Sequence, residues 1–395
     1  MVKRIIMNHY IGKFVFHPVG HGLFYTGEIT DDQGKTFSFA FDCGSENSKI
    51  ISGIISNGKL PNGIDDILPK QIDLLIISHF HSDHISNALD LISKKKVKKV
   101  ILPYLNDTTK ILYASQIDST LPDSSNLTQF IADPIPVIKG LNENCEVIIL
   151  NEERESDFTQ PDFSDSENDP FEFKWADQNS SAPNQHAGNA SLISSIWEFR
   201  FFMPKTGNSV QLQKLQAFFI SNSITIDNAA SHYSAIETEM KRLGLANNIS
   251  NIVCAHGPVE NTVIKAIHYN KGNLFSYAPS YYPWHFFYRR DLAPYQFLTG
   301  DAVIADKSAF LRHYEPQLIS SILFQIPHHG SKNNWDDVFC AWQSFCYLWP
   351  VTHNANNKRK HGRGTFPSAI FKYIKEDSVT EDPNSILGVL IHFAK

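Results

Sequence analysis

Four side chains that bind divalent metals lie within six residues of this chain. His79, His81, Asp83 and His84 follow the mostly apolar run 72–77, which predicts a buried strand. Imidazole and carboxylate groups are ligands for zinc, and also for manganese and iron. Alternation along an extended turn points His79 and His81 the same way, before a helix that begins near Asp83. The cluster therefore predicts a site for one or two divalent metal ions, with zinc as the first choice.

The cluster resembles the His-x-His-x-Asp-His signature of the metallo-β-lactamase-fold hydrolases. In that family the first two histidines bind one metal ion, and the aspartate and the last histidine bind a second. The resemblance implies that His79 and His81 hold the first ion, and that Asp83 and His84 hold the second. It also implies the family's α/β fold, a four-layer αββα sandwich.

The segment before the cluster carries two further motifs. Short strands are predicted at 14–16, 23–25 and 37–41, and the third ends in Asp42-Cys43-Gly44. In the family, an Asp-x-Gly at a strand end packs beneath the metal site. Val19-Gly20-His21-Gly22 resembles the Val-Gly-x-Gly loop of the branch that includes the metallo-hydrolase domain of the competence proteins called ComEC.

The segment after the cluster predicts one helix over 84–94 and a strand at 100–102, a β-α-β order that suits the family's layers. Many relatives follow the signature with an apolar residue and two glycines. This chain has Ile85-Ser86-Asn87 instead. We expect Ser86 and Asn87 to narrow the site or to add hydrogen bonds, so the substrate preference is not simply inherited.

Two distal motifs complete the resemblance. A Thr-Gly-Asp triplet ends at Asp301 and resembles the family's strand end whose aspartate bridges the two metal ions. A strand predicted at 321–326 ends in Pro-His-His-Gly-Ser at 327–331, which resembles the ComEC-like motif whose histidine completes the second site. His328 is favoured as the ligand because it comes first after the strand. His329 is then expected beside the ligands or the substrate.

The family supplies one more histidine to the first metal ion, from between the cluster and the bridging aspartate. His186 lies just before a strand entry that resembles the ComEC-like branch, and His256 lies at the end of another apolar run. Both precede Asp301. The sequence leaves open which of them ligates, or whether an oxygen ligand or water takes the place.

We expect residues 1–395 to form a single domain with two additions. The range of about 151–177 is acidic and rich in Ser, Asp and Pro, which predicts a solvated loop. An insertion is predicted over about 204–295, with a helix near 233–243 and many aromatic residues over 275–288. The aromatics either pack the insertion onto its host, the commoner role, or stack bases or grip an apolar substrate. The insertion also offers a surface for a protein partner.

A second basic feature lies further along the chain. Lys358, Arg359, His361 and Arg363 belong to a glycine-bearing stretch that loosely resembles a family loop near the active site. Such residues could clamp a phosphate, because guanidinium groups pair well with its oxygens. An ordinary basic surface loop is the equal alternative.

Composition restricts the class of protein further. The net charge of −6 gives no support for a broadly basic nucleic-acid binder. The five cysteines form no Cys-x-x-Cys pair, which predicts reduced thiols and a cytoplasmic location. Neither a signal peptide nor a membrane span is predicted from the sequence.

Taken together, these patterns predict a metal-dependent hydrolase that uses a metal-activated water. Asp83 is the predicted catalytic residue, which orients the water and accepts a proton. A phosphodiesterase or nuclease is favoured because the ComEC-like resemblance extends over four motifs. The first alternative is a hydrolase of a small ester, lactone, thioester or phosphocholine-like molecule. The second is a scaffold subunit of a bacterial defence or toxin assembly.

Overall fold

The computed structural model describes most of the chain, with gaps. The described residues are 8–57, 68–117, 124–151, 169–176, 184–204, 209–245, 250–259, 263–270, 284–286, 294–303, 307–319, 321–330, 346–350, 376–379 and 387–394. Within these ranges two β-sheets pack face to face, and helices cover both outer faces. The predicted four-layer αββα class is thereby confirmed.

The first sheet combines a parallel half with an antiparallel half. Strands β3, β4, β5, β6 and β8 pair in parallel, whereas the pairs on the other side of β3 are antiparallel. Among the described residues its order is β13 (Trp284–Phe286), β12 (Val263–Asn270), β18 (Leu387–Ala394), β1 (His9–Phe16), β2 (Gly22–Asp31), β3 (Thr36–Ser45), β4 (Leu74–Ile76), β5 (Lys99–Pro103), β6 (Glu146–Leu150) and β8 (Gln185–His186).

The second sheet is also mixed. Its strands β14 to β17 pair in parallel, and the remaining pairs are antiparallel. Within the described part of the chain the order is β17 (Glu376–Val379), β16 (Cys346–Pro350), β15 (Ser321–Gln325), β14 (Tyr295–Leu298), β11 (Val253–Pro258), β10 (Trp197–Phe202), β9 (Ser191–Ile193) and β7 (Lys174–Trp175).

The helices form the two outer layers and a small separate cluster. The described helices are α1 (Ser48–Asn57), α2 (Ser82–Ile85), α3 (Ala88–Lys94), α4 (Asp107–Ser115), α5 (Ser124–Ala132), α6 (Pro134–Leu141), α7 (Ser209–Ser221), α8 (Tyr233–Leu243) and α9 (Lys307–Ile319), with 3-10 turns at Ala229–His232 and Pro327–Gly330. Buried residues of α1 and of α3 to α6 pack against the first sheet, and those of α9 against the second. None of the described helices has the length and apolar character needed to cross a membrane.

The main core lies between the two sheets. Strand β3 shows why, because Phe37, Phe39 and Phe41 face the second sheet whereas Ala40 faces the helices. The ring of Phe39 meets that of Phe199 edge to face, with centroids 4.8 Å apart. This alternation predicts a strand with both faces buried and fixes its register, since a slip of one residue would turn the three phenylalanines outward.

The prediction of one helix over 84–94 is wrong in one respect, because this range contains parts of two helices, α2 and α3. The backbone N–H of Asn87 donates to the carbonyl oxygen of Cys43 at 2.9 Å, outside any helix. The Ser86 hydroxyl accepts a hydrogen bond from the backbone N–H of Ser45 at 3.0 Å and donates one to the Ser45 carbonyl at 3.1 Å. The bonds tie the break between the helices to the end of β3.

The range of about 204–295, which we predicted to be one insertion, contains a strand of the core sheet. We expected the strand at Ser191 and the strand before Asp301 to be neighbours, but β10 and β11 lie between them. The additions are therefore separate: α7 and α8 precede β11, and β12 and β13 follow it at the edge of the first sheet. Most of the acidic loop and of the aromatic stretch lies outside the described residues.

Candidate metal centre

The two sheets bring their strand ends together at the histidine cluster. His79 and His81 lie in the turn after β4, and Asp301 lies in the turn after β14. Gly300 has a φ of 52°, and a Cβ at this position would lie 2.6 Å from the Ser78 hydroxyl oxygen. Glycine is required here because it permits both the left-handed conformation and the close approach of the two turns.

The predicted ligands of the first metal ion converge. Nε2 of His79 lies 3.0 Å from Nδ1 of His81. Oδ2 of Asp301 lies 3.6 Å from Nε2 of His79 and 3.9 Å from Nδ1 of His81. Two histidines of one turn and an aspartate more than 200 positions away in the sequence therefore present donor atoms to one small volume.

The predicted ligands of the second ion converge beside them. Nε2 of His84 lies 3.3 Å from Oδ1 of Asp301 and 3.7 Å from Oδ2 of Asp83. This Nε2 is buried and makes no well-aligned hydrogen bond to any described residue. Asp301 directs one oxygen to each group, which is the arrangement expected of a bridging carboxylate.

Asp42 and Ser78 set the tautomers of two of these histidines. The Ser78 hydroxyl donates to Oδ2 of Asp42 at 2.6 Å, so its oxygen must accept from Nδ1 of His79 at 2.9 Å. Nδ1 of His84 donates to the same Asp42 oxygen at 2.7 Å. Both histidines thus carry a proton on Nδ1 and direct Nε2 towards Asp301, as ligating imidazoles require. The Asp-x-Gly motif does lie beneath the cluster.

Both histidines of the Pro-His-His-Gly-Ser motif lie in the cluster, and each lies beside a different carboxylate. Nδ1 of His328 lies 2.6 Å from Oδ2 of Asp301, and Nε2 of His329 lies 3.1 Å from Oδ2 of Asp83. Both residues have left-handed backbone conformations, with φ of 49° and 51°. We favoured His328 as the ligand of the second ion, but His329 lies on the side of Asp83 and His84.

The structure also brings in residues that the sequence did not single out as ligands. Nε2 of His21 lies 3.9 Å from Oδ2 of Asp83, and its ring packs against that of His329 at an interplanar angle of 32°, with centroids 3.9 Å apart. The buried Tyr113 ring meets the His81 ring edge to face at 5.2 Å. The glycines around His21 were the available signal, since they mark a loop whose backbone approaches other groups.

The two candidates for the missing ligand of the first ion make other contacts. His256 is buried between the sheets, where its Nε2 lies 2.9 Å from the Tyr25 hydroxyl. It pairs with Gln296, five residues before Asp301, which corresponds to about 16 Å of extended chain. The ring of His186 stacks on Trp175 with centroids 3.9 Å apart.

The basic stretch with Lys358, Arg359, His361 and Arg363 lies outside the described residues.

Charges within the cluster keep the carboxylate of Asp301 ionised. Burial opposes ionisation of Asp301, but the charges of His328 and His84 hold the pKa of Asp301 well below its usual range. Burial, together with the charge of His84, lowers the pKa of His79 to about 3. Burial also disfavours the charged form of His84, but Asp83, Asp301 and Asp42 outweigh it and raise the pKa of His84 well above 6.5. A metal ion would replace the proton that His84 holds.

The donor set fits divalent metal ions. Among the described residues, two groups have donor atoms that all lie within 4.8 Å of one another: His79, His84 and Asp301, and His21, Asp83 and His329. Nitrogen and oxygen donors of this kind suit zinc, manganese or iron. The cluster opens into a cleft of about 530 Å³, which α8 and the end of α4 also line.

Comparison with known proteins supports this assignment. Residues 35–117 match the Metallo-beta-lactamase superfamily. These residues run from the start of β3 to the end of α4 and include His79, His81, Asp83 and His84. The segment that holds the histidine cluster is therefore similar to the metallo-β-lactamase superfamily, and the four-layer fold is consistent with the sandwich of that superfamily. This match supports a metal-dependent hydrolase.

More distant comparisons add little. The chain is similar to the crystal structure of a long form RNase Z from yeast, with 8% sequence identity and a TM-score of 0.28. That match covers 81% of this chain and 32% of that chain, so this chain spans about a third of the length of its relative. A likeness at this level carries no argument about function. No curated protein matches the chain. The ComEC-like resemblance stays a prediction.

Proposed function

We propose that the chain is a metal-dependent hydrolase that cleaves phosphodiester bonds, with a nucleic acid as the favoured substrate. The observation that carries the proposal is the position of Asp301, whose two oxygens are directed to two groups of donor atoms in one cleft. Paired metal sites of this kind serve hydrolysis of phosphate esters, where both the attacking and the leaving oxygen need stabilisation.

The residues of the site would take different roles in such a reaction. His79, His81 and Asp301 would hold one ion, and Asp83, His84, Asp301 and His329 the other. When bound, the ions would supply Lewis acidity and a nucleophile at neutral pH. The carboxylate of Asp83, whose Oδ2 lies 3.1 Å from Nε2 of His329, would accept the proton of the attacking water.

His328 favours an anionic substrate. Its side chain is 21% exposed and lines the cleft. Burial disfavours its charged form, but the Asp301 carboxylate outweighs this and raises the pKa of His328 above 6.5. A positively charged imidazole at the cleft wall would bind a phosphate oxygen of the substrate and stabilise charge that develops on it.

A hydrolase of a small ester, lactone or thioester is the second candidate. The cleft of about 530 Å³ has the volume of a small-molecule site. Among the described residues that line it, none is lysine or arginine, and Glu46 adds a further negative charge. A short neutral substrate would meet less repulsion there than a polyanion.

The two candidates are separated by a substrate panel. Protein loaded with Zn²⁺ or Mn²⁺ is incubated with single- and double-stranded DNA, RNA, bis(p-nitrophenyl) phosphate, and a lactone and thioester set. We expect cleavage of phosphodiesters, with a loss of at least about 100-fold in Asp83→Asn because the proton acceptor is gone. Asp90→Asn removes an exposed carboxylate from α3 and should leave the rate unchanged. Cleavage of the small esters alone would select the second candidate.

A further inference from the structure

One carboxylate oxygen has three imidazole nitrogens around it. Oδ2 of Asp83 lies 3.1 Å from Nε2 of His329, 3.7 Å from Nε2 of His84 and 3.9 Å from Nε2 of His21. The three histidines come from the loop before β2, from α2 and from the turn after β15. The same ring atom of each histidine lies near this oxygen. Nε2 of His84 is closer to Oδ1 of Asp301, at 3.3 Å, and Nε2 of His21 lies at an equal 3.9 Å from Oε1 of Glu46.

These separations match the spacing of ligands around one ion. Metal–nitrogen and metal–oxygen bonds of about 2.1 Å place neighbouring ligand atoms about 3.4 Å apart in a tetrahedron and about 3.0 Å apart in an octahedron. The three measured distances span 3.1 to 3.9 Å. Small rotations of the side chains would therefore let His21, His84, His329 and Asp83 bind one ion together.

The backbone holds His21 against the centre. The carbonyl oxygen of His21 accepts a hydrogen bond from the Glu46 backbone N–H at 2.9 Å. A Cβ on Gly22 would lie 2.7 Å from the carbonyl oxygen of Asp83 and 2.4 Å from that of Gly44, and Gly22 has a φ of 145°. A glycine is needed for this contact, which places the loop directly on α2. His21 itself is only 8% exposed.

We propose that His21 is a ligand of the second metal ion, and that the second site binds its ion more tightly than the first. Its donors are three imidazoles and Asp83, with the shared Asp301, whereas among the described residues the first site has His79, His81 and Asp301. The inference rests on the proposed metal-dependent function. It assigns a loading order: one equivalent of metal enters the second site, and the other follows at higher concentration.

Metal titration of chelator-treated protein tests this directly. Co²⁺ is added while its visible absorption is followed, and Zn²⁺ binding is measured by calorimetry. The wild type should show a tight and a weak phase. His21→Gln should weaken the tight phase by at least about tenfold and spare the weak phase, since loss of even an outer partner of a ligand costs 10–100-fold. His79→Gln should remove the weak phase only. His9→Gln, an exposed histidine of β1, is the matched control.

A second measurement needs no variant. X-ray absorption of the wild type at one equivalent of Zn²⁺ should show about three imidazoles around the ion; two would overturn the assignment of His21. Identical titrations of His21→Gln and wild type would also overturn it, and the proposed hydrolase would stand. Absence of any metal binding by the wild type would contradict both the assignment of His21 and the proposed hydrolase. If His21→Gln does not fold, as judged by circular dichroism, the absorption measurement decides.

Discussion

Oδ2 of Asp42 lies 2.7 Å from Nδ1 of His84, and the same oxygen accepts the hydroxyl of Ser78 at 2.6 Å. Asp42 is fully buried and has a φ of 54°, a conformation that aspartate tolerates better than most residues. Burial raises the pKa of Asp42, and the charge of His84 opposes that rise. One residue at the end of β3 therefore orients two histidines of the metal centre without contacting the substrate cleft.

Asp42→Asn is expected to weaken metal binding by about 10- to 100-fold, because an amide has one acceptor oxygen and cannot accept all the hydrogen bonds that the carboxylate accepts. Calorimetric titration with Zn²⁺ measures the change. Asp73→Asn is a close control, since Asp73 also accepts from the backbone N–H and hydroxyl of one serine, Ser38. Equal losses in both variants would assign the effect to general destabilisation.

Gly44→Ala should destabilise the protein by about 1–3 kcal/mol or more, as overpacking of a core does. The added Cβ would lie 2.3–2.4 Å from backbone atoms of His84 and would displace α2. Urea denaturation measures the loss. Gly53→Ala in α1 has no heavy atom within 4 Å of the added Cβ, so it should be neutral or stabilise by about 0.5–1 kcal/mol. Similar free energies for the two variants would contradict the close contact.

The adjacent histidines should separate in function. His329→Gln is expected to reduce the affinity for the second metal ion, because His329 faces Asp83. His328→Gln should leave two ions bound and raise KM for an anionic substrate, because His328 lines the cleft. Metal titration and steady-state kinetics on both variants distinguish these effects. A loss of metal in His328→Gln alone would restore our first assignment from the sequence.

His256 should make stability depend on pH. Burial lowers the pKa of His256 from 6.5 to about 3, so between these values the unfolded chain binds a proton that the folded chain does not. Stability is therefore lost as pH falls below 6.5. His256→Leu should lower the slope of unfolding free energy against pH by about 1.4 kcal/mol per unit between about pH 5.5 and 4.5. His9→Gln serves as the exposed control, and unchanged slopes in both would refute the prediction.

Removal of metal should destabilise the fold, since the donors come from four distant segments. At a free ion concentration 100 times Kd, a single ion stabilises the folded state by about 2.7 kcal/mol. Urea denaturation with and without a chelator measures this difference. In Asp301→Asn, which loses the shared carboxylate, the difference should shrink; a difference of wild-type size would argue against Asp301 as a bridging ligand.

Local pattern was enough to predict much of the fold. The strands at 14–16, 23–25 and 37–41 fall within β1, β2 and β3, and alternating phenylalanines marked β3 as a core strand. The division between α2 and α3 was missed because apolar periodicity continues across it. The break depends on hydrogen bonds from Ser86 and Asn87 to the end of β3, and these exist only in the folded chain.

The candidate site was predictable where ligands are close in sequence or follow a recognisable strand end. His21 was missed because it is a single histidine 62 residues before Asp83. The two come together only in the folded chain, where Gly22 at the start of β2 packs against Asp83. His256 looked suitable because it follows an apolar run. The direction of the strand rules His256 out as a ligand. Strand β11 is antiparallel to β14, so the first residues of β11 lie near the metal centre and the last ones lie away from it.

The pairing of β1 with β18 has a consequence for how the protein is made. Every residue of the candidate centre precedes position 330, but β1 remains an edge strand until residues 387–394 have been synthesised and pair with it. β12 also depends on β18 for its place in the sheet. A chain that still lacks residues 387–394 thus carries all the ligands named above beside an open sheet edge, and such edges favour aggregation. Premature termination before β18 would yield a protein that retains the candidate ligands and lacks the strand that pairs with both β1 and β12.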